Sequence, residues 1–178
     1  GPLDMRMNPS RGEPASRLIA RVSESGLAAL LDENADEPHA ELIARLLKQG
    51  PLETTQLAER RIRLGLLEAM PTLAKAEVKM SVRRTFQALR IAVNDEFAVL
   101  ERFLSLLPSC LKPDGRVAIL SFHSGEDRRV KKAFQTGERA GIYARVAPEL
   151  IRPSFEERRA NPRSGSAKLR WAVAARRA

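Results

Sequence analysis

The chain has 178 residues, 43% of them hydrophobic, and carries 31 Lys and Arg against 22 Asp and Glu, a formal net charge of +9 with a pI near 10.5. That composition excludes a disordered chain, supports one domain or a domain with a small subdomain, and points to a polyanionic partner without choosing between RNA, DNA and an acidic protein. The single cysteine, Cys110, lies in the apolar stretch Phe103 to Leu111, which excludes a disulfide framework and a thiolate metal site and fits a reducing cytosol.

The first seven residues, Gly1-Pro2-Leu3-Asp4-Met5-Arg6-Met7, lack an initiating methionine and read as the middle of a longer sequence, although a tag scar could also begin with Gly-Pro. From Pro14 to Met70 apolar residues recur three and four apart, as in Leu27, Leu30, Leu31 and Leu42, Ile43, Leu46, Leu47, which predicts short helices. Ser25 is the expected cap of a helix beginning at Gly26. Asp36 should cap one with Pro38 in its first turn and Gly50-Pro51 at its end, and Thr54 or Thr55 a further helix through Ile62 and Leu66. These helices predict a small all-α subdomain over 13–79, closed by a linker from Pro71 to Lys79.

A long helix is expected next, Val82 to Leu107, with Phe86, Leu89, Val93, Phe97, Leu100 and Leu104 on one stripe. Lys112-Pro113-Asp114-Gly115 is a turn signal, and Arg116 to Ser121 a strand whose unbroken apolarity predicts cover on both faces, as in a parallel α/β sheet. A loop from Phe122 to Asp127 should lead into a helix containing Val130, Ala133 and Phe134. A strand at Tyr143 to Val146, a helix from Ser154 and a strand at Ala167 to Ala174 complete an α/β pattern like the C-terminal half of an open sheet. No apolar run reaches the ~18 residues of a membrane span, and no secretion signal opens the chain, so a soluble protein is the simplest expectation.

Polar residues just after a buried strand face the crevice where α/β proteins bind ligands, which selects Ser121, His123, Ser124, Glu126 and Asp127. Their structural alternative is that Ser124 caps the next helix while Glu126 and Asp127 complement its dipole. His39, inside the helical block, reads as a surface residue. The segment Asn161 to Arg170 gathers Arg163, Lys168 and Arg170 with hydroxyls and Gly165, a combination suited to phosphates or to a solvated loop. Arg60, Arg61 and Arg63, Arg83 and Arg84, and Arg128 to Lys132 add positive charge that could equally be solvated helix faces. There is no G-x-G-x-x-G or P-loop, no Ser-His-Asp order and no His/Cys cluster, so no metal is expected.

Four strings, Gly1 to Met7, Arg84-Thr85-Phe86-Gln87-Ala88-Leu89-Arg90-Ile91-Ala92-Val93-Asn94-Asp95-Glu96, Ser121-Phe122-His123-Ser124 and Asn161-Pro162-Arg163-Ser164, closely resemble the RsmH (MraW) family in order and spacing. Those proteins are the bacterial small-subunit rRNA cytosine-N4 methyltransferases and their mitochondrial relatives. The resemblance implies part of a class I, Rossmann-like AdoMet-dependent fold. Residues 1–12 and 80–178 would belong to the methyltransferase core, and 13–79 to the inserted helical subdomain. The family's AdoMet loop, its ribose-binding acid and its adenine-supporting strand all precede the Gly-Pro-Leu-Asp string, so the cofactor-binding residues are expected upstream of this chain. Departures are Met80-Ser81-Val82-Arg83 for His-Pro-Ala-Thr, Asn34-Ala35-Asp36-Glu37 for the common Tyr-Gly-Glu-Glu, and Gly125 and Gly165 where Leu and Arg are usual.

A cytosine N4 amine is a poor nucleophile because its lone pair is delocalised, so catalysis requires positioning and an acceptor for its proton. The resemblance implies Asp4, Arg6, Asn94, Asp95, His123 and Ser124 as catalytic candidates, and Arg84, Arg90, Arg163, Ser164, Lys168 and Arg170 as RNA contacts. The implied cofactor is S-adenosyl-L-methionine. The partner is small-subunit rRNA or the ribosomal subunit, with no membrane, in the cytoplasm or an organellar matrix. The competing expectations are a cofactor-free RNA-binding or assembly module, and a functionless fragment whose exposed sheet edge makes it dimerise or aggregate.

Overall fold

A computed structural model describes residues 1–176 of the chain. They form two compact units, Gly1–Glu96 and a second beginning at Phe97.

The first unit is helical: α1 (Ala15–Arg21), α2 (Glu24–Ala35), α3 (Ala40–Lys48), α4 (Thr55–Ala69) and α5 (Lys75–Asn94). Their apolar stripes meet in a core that includes Leu3, Leu27, Leu31, Ile43, Leu47, Ile62, Leu66 and Leu89. Gly65 permits α3 and α4 to approach, because a Cβ there would overlap Leu46 Cδ2. The seven-residue α1 ends on a charge: Lys48 Nζ donates to the carbonyls of Ile19, Ala20 and Val22 at 2.9, 2.9 and 2.7 Å. One ammonium thereby satisfies the carbonyls a helix C-terminus leaves open.

Several expected caps are corrected. Ser23, not Ser25, caps α2 by accepting from Gly26 N at 3.0 Å. Asp36 ends α2 in a left-handed conformation (φ 49°) and starts nothing; α3 begins only at Ala40, after Pro38. Thr54 does cap α4. The linker expected from Pro71 to Lys79 is shorter, since α5 starts at Lys75. The single helix expected over Val82 to Leu107 is two: Asp95 takes a left-handed conformation (φ 52°) and separates α5 from α6 (Glu96–Leu106). The apolar stripe runs on through the break, so periodicity could not reveal it.

In the second unit α6 passes through a 3-10 turn and the Lys112 to Gly115 turn, with Asp114 at φ 60°, into β1 (Arg116–Ser121). Then come α7 (Ser124–Arg139), β2 (Tyr143–Val146), α8 (Phe155–Ala160) and β3 (Lys168–Ala174). The strand order is β1-β3-β2 and both pairings are antiparallel, with Arg116 opposite Val173 and Ser121 opposite Lys168. The expectation that β1 lies in a parallel sheet covered on both faces is therefore overturned. Ala118 and Leu120 are exposed, and β1 stands at an edge of the sheet among the described residues. The other face packs on α7 through Val130, Phe134, Tyr143 and Ala172. An unbroken apolar run records hydrophobicity; it does not record the direction of a partner strand some fifty residues later.

Candidate functional site

In the first unit the opening segment is threaded beside the end of α5. Leu3 N donates to Glu53 O, Ser16 N to Leu3 O and Ala15 N to Asp4 O, which fixes the backbone of Leu3 and Asp4. Met5 then adopts φ 66°, a conformation rare for a side chain of its size. Asn94, in the last turn of α5, holds this bend: its Nδ2 donates to Met5 O at 2.9 Å and its Oδ1 accepts from Met7 N at 2.7 Å. The same Nδ2 also reaches Arg90 O at 2.9 Å.

Asp4 and Arg6 project from this bend as a bidentate pair, with Nε to Oδ1 at 2.7 Å and Nη2 to Oδ2 at 2.8 Å. The hydrogen bonds from Arg6 hold the Asp4 carboxyl down to about 2, against an opposing effect of desolvation. Asp4 is therefore an anion at neutral pH, able to accept a hydrogen bond from a ligand but not to donate one. Arg90 forms a second bidentate pair, with Glu96, at 2.8 and 3.1 Å. Asp95 is exposed in its left-handed turn, and Arg84 is half-buried on α5. Five of the residues implied by the resemblance, Asp4, Arg6, Arg90, Asn94 and Asp95, thus lie on two adjoining pieces of chain, while Arg84 lies further back along α5.

In the second unit the Ser121 to Asp127 segment connects β1 to α7. The expected cap, Ser124, is instead the first helical residue, and His123 takes the cap position. His123 Nδ1 accepts from Glu126 N at 3.4 Å, while Glu126 Oε2 reaches back to accept from Phe122 N at 2.9 Å. This is a reciprocal capping arrangement with histidine in the serine role. With Nδ1 accepting, the neutral ring carries its proton on Nε2, which lies 3.3 Å from Glu126 Oε1 in a poorly aligned contact. The His123 side chain, with the Phe122 N–H adding to it, holds Glu126 down to about 2, against the opposing effect of burial. The Phe97 ring lies 5.8 Å from the imidazole, and the Arg129 guanidinium stacks 3.4 Å from the Phe97 centroid. Gly125 is small because of Phe97: a Cβ there would sit 2.5 Å from Phe97 Cζ.

The RNA-contact candidates divide. Arg163 and Gly165 are exposed on the 3-10 turn Pro162–Ser166. Lys168 Nζ donates to Ser166 O at 3.2 Å. Ser164 is buried, and its hydroxyl has no hydrogen-bond partner among the described residues. Arg170 is buried and paired bidentately with Asp127 at 2.7 and 3.1 Å, a strut between β3 and α7. Ser121, also buried, donates to Lys168 O at 3.4 Å. His39 is half-buried, and its N–H donates to Glu37 Oε1 at 3.0 Å.

Sequence reasoning did not foresee the partners of these groups: Glu96 for Arg90, Asp127 for Arg170, and Glu126 for the Phe122 amide. Only the last left a signal, the three-residue spacing of His123 and Glu126 that a capping box requires.

The MraW methylase family matches residues 1–175. The chain is 49% identical over 180 residues to the ribosomal RNA small subunit methyltransferase H 2 of Alkaliphilus metalliredigens (strain QYMF), an alignment covering 98% of this chain and 52% of that protein. It is 46% identical to the methyltransferase H 1 of Lachnoclostridium phytofermentans (strain ATCC 700394 / DSM 18823 / ISDg), covering 98% and 49%. It is 47% identical to the methyltransferase H of Synechococcus sp. (strain WH7803), covering 97% and 56%. The chain spans about half the length of the curated relatives it matches.

Proposed function

Because the chain belongs to the MraW methylase family, we propose that it forms the target-binding part of an AdoMet-dependent enzyme that methylates the N4 amine of a cytosine in small-subunit ribosomal RNA. The observation that carries this reading is the Asn94 clamp on the Met5 to Met7 bend, which presents Asp4 as a fixed anion. An anionic acceptor suits the delocalised cytosine amine, whose N–H must be oriented and finally lost. Arg6 holds the carboxylate in place, Asp95 offers a second acceptor on the adjoining turn, and His123 and Ser124 supply polar groups at the end of β1. In this reading Arg84, Arg163 and Lys168 supply the cations for RNA phosphates. Such an enzyme works where small ribosomal subunits are assembled, in the cytoplasm or an organellar matrix.

AdoMet supplies an electrophilic methyl group when bound. The described residues do not by themselves form a cradle for it: Gly125, the one glycine where a strand passes into a helix, is taken up by Phe97. The alternative reading is a cofactor-free RNA-binding or assembly module.

Two measurements separate these readings. The chain is titrated with AdoMet and with small-subunit rRNA at two salt concentrations. It is then assayed for methyl transfer alone and after addition of the N-terminal half of a close relative. The enzyme reading expects salt-sensitive RNA binding and methyl transfer to cytosine N4, detected by nucleoside mass spectrometry, in the complemented mixture. RNA binding with no methyl transfer under complementation establishes the module instead.

A further inference from the structure

Along the helical unit a groove of about 910 Å³ runs between α4 and α5. Its floor is apolar, formed by Leu67, Val78, Val82 and Phe86. Its walls are cationic: Lys75, Lys79 and Arg83 follow one another at four-residue steps along α5, and Arg63 faces them from α4. All four are exposed, and among the described residues none has an acidic partner within ion-pair distance; Glu59 is the one acidic residue lining the groove. At four-residue spacing the α5 cations form a single row with a rise of about 6 Å per step. A helical protein gains nothing in stability from an unpaired row of like charges, which repel one another at this spacing. One end of the groove is formed by Met5 and Arg90, which adjoin the Asn94 clamp.

We propose that the α4–α5 groove is a track for unpaired RNA, with phosphates on the Lys75, Lys79, Arg83 row and on Arg63, and with bases against Phe86 and its aliphatic neighbours. The inference rests on the RNA-methyltransferase reading and extends it, because the groove leads to the segment carrying Asp4. Charge complementarity selects the occupant: a polyanion with apolar, stackable faces matches both the walls and the floor. An acidic peptide would match only the walls.

The test uses the full chain and a fluorescent single-stranded oligonucleotide from small-subunit rRNA, followed by anisotropy over a range of salt concentrations. The variant Lys75→Gln/Lys79→Gln/Arg83→Gln should bind at least roughly tenfold more weakly, with a log–log salt slope reduced by about 2, since each single-strand phosphate contact contributes ~0.7. Arg63→Gln, on the other wall, should reduce the slope by about 0.7. A control that removes as many charges from α7, Lys131→Gln/Lys132→Gln/Arg139→Gln, should bind like the parent. Thermal melting checks that all variants remain folded, as expected for exposed side chains.

If the groove variants bind RNA with the parent's affinity and slope, the track is wrong while the methyltransferase reading stands. If they keep RNA affinity but lose binding to polyglutamate, the groove is a protein-docking surface and the proposal is overturned. If the parent itself shows no salt-sensitive RNA binding, the functional reading falls and the track falls with it.

Discussion

Asn94 donates its side-chain amide to the carbonyl of Met5, 89 residues earlier in the chain, and accepts from Met7 N at 2.7 Å. One side chain therefore holds both ends of a bend whose first residue, Met5, enters the left-handed region. Asn94→Ala removes both bonds and should cost about 1–2 kcal/mol, with water recovering part of the loss at this half-exposed position. Asn94→Asp keeps an acceptor for Met7 N but loses the donor to Met5 O, and should fall between the two. Urea unfolding gives the stabilities, and amide exchange at Met7 that is faster in Asn94→Ala than in Asn94→Asp would locate the effect in the bend.

Glu126 supplies an acid-sensitive link. Its folded value, about 2, lies below the ~4.3 of an unfolded glutamate, so its contribution is fully present above about pH 4.3 and is lost as pH falls through 2. Because the His123 contact is poorly aligned and the carboxylate is partly exposed, the contribution should be on the order of 1 kcal/mol. Glu126→Gln should flatten the corresponding part of a stability profile measured between pH 2 and 6. A profile as steep as the parent's would assign the acid sensitivity to other carboxylates, Asp4 first among them.

The Arg170–Asp127 pair is well buried on both sides, so removing one partner strands a charge. Arg170→Ala should destabilise the second unit by about 3 kcal/mol, and Arg170→Lys should recover only part of that because lysine cannot form the two-pronged contact. Arg163→Ala, on the exposed turn, should leave the unfolding midpoint unchanged and weaken RNA binding. Urea melts beside RNA titrations separate the strut from the phosphate contact.

Gly125→Leu would install the residue usual in the resembling family, where Phe97 leaves no space for a Cβ. It should cost roughly 1–3 kcal/mol as an overpacked site. Combining it with Phe97→Ala should recover part of that cost, which a double-mutant cycle would register as coupling between the two positions.

Local chemistry made much of this fold legible. The Lys112 to Gly115 turn, the strands at 116–121 and 143–146 and the Thr54 and Ser154 caps follow from turn residues, β-branched runs and hydroxyls at helix starts. What eluded the sequence is relational. The break at Asp95 interrupts no apolar period. A histidine does not announce itself as a cap. The antiparallel pairing of β1 with β3 is set by a chain segment that arrives some fifty residues later. The same holds at the candidate site: the family resemblance implies Asp4, Arg6 and Asn94, but the bonds joining Asn94 to the Met5 bend depend on how α5 ends.

Lys48 gives α1 a vulnerability of a different kind. Its ammonium occupies the meeting point of three carbonyls much as a bound monovalent cation would, except that it is tethered to α3 by its own side chain. A seven-residue helix is too short to persist alone, so its attachment rests on its buried Ala15, Leu18 and Ile19 and on that ammonium at its end. Acylation of the lysine, by an enzyme or by an adventitious acyl donor, would remove the charge and two of its donors at once. The place of α1 in the helical unit is thus open to chemical editing at an atom remote from the segment that carries Asp4.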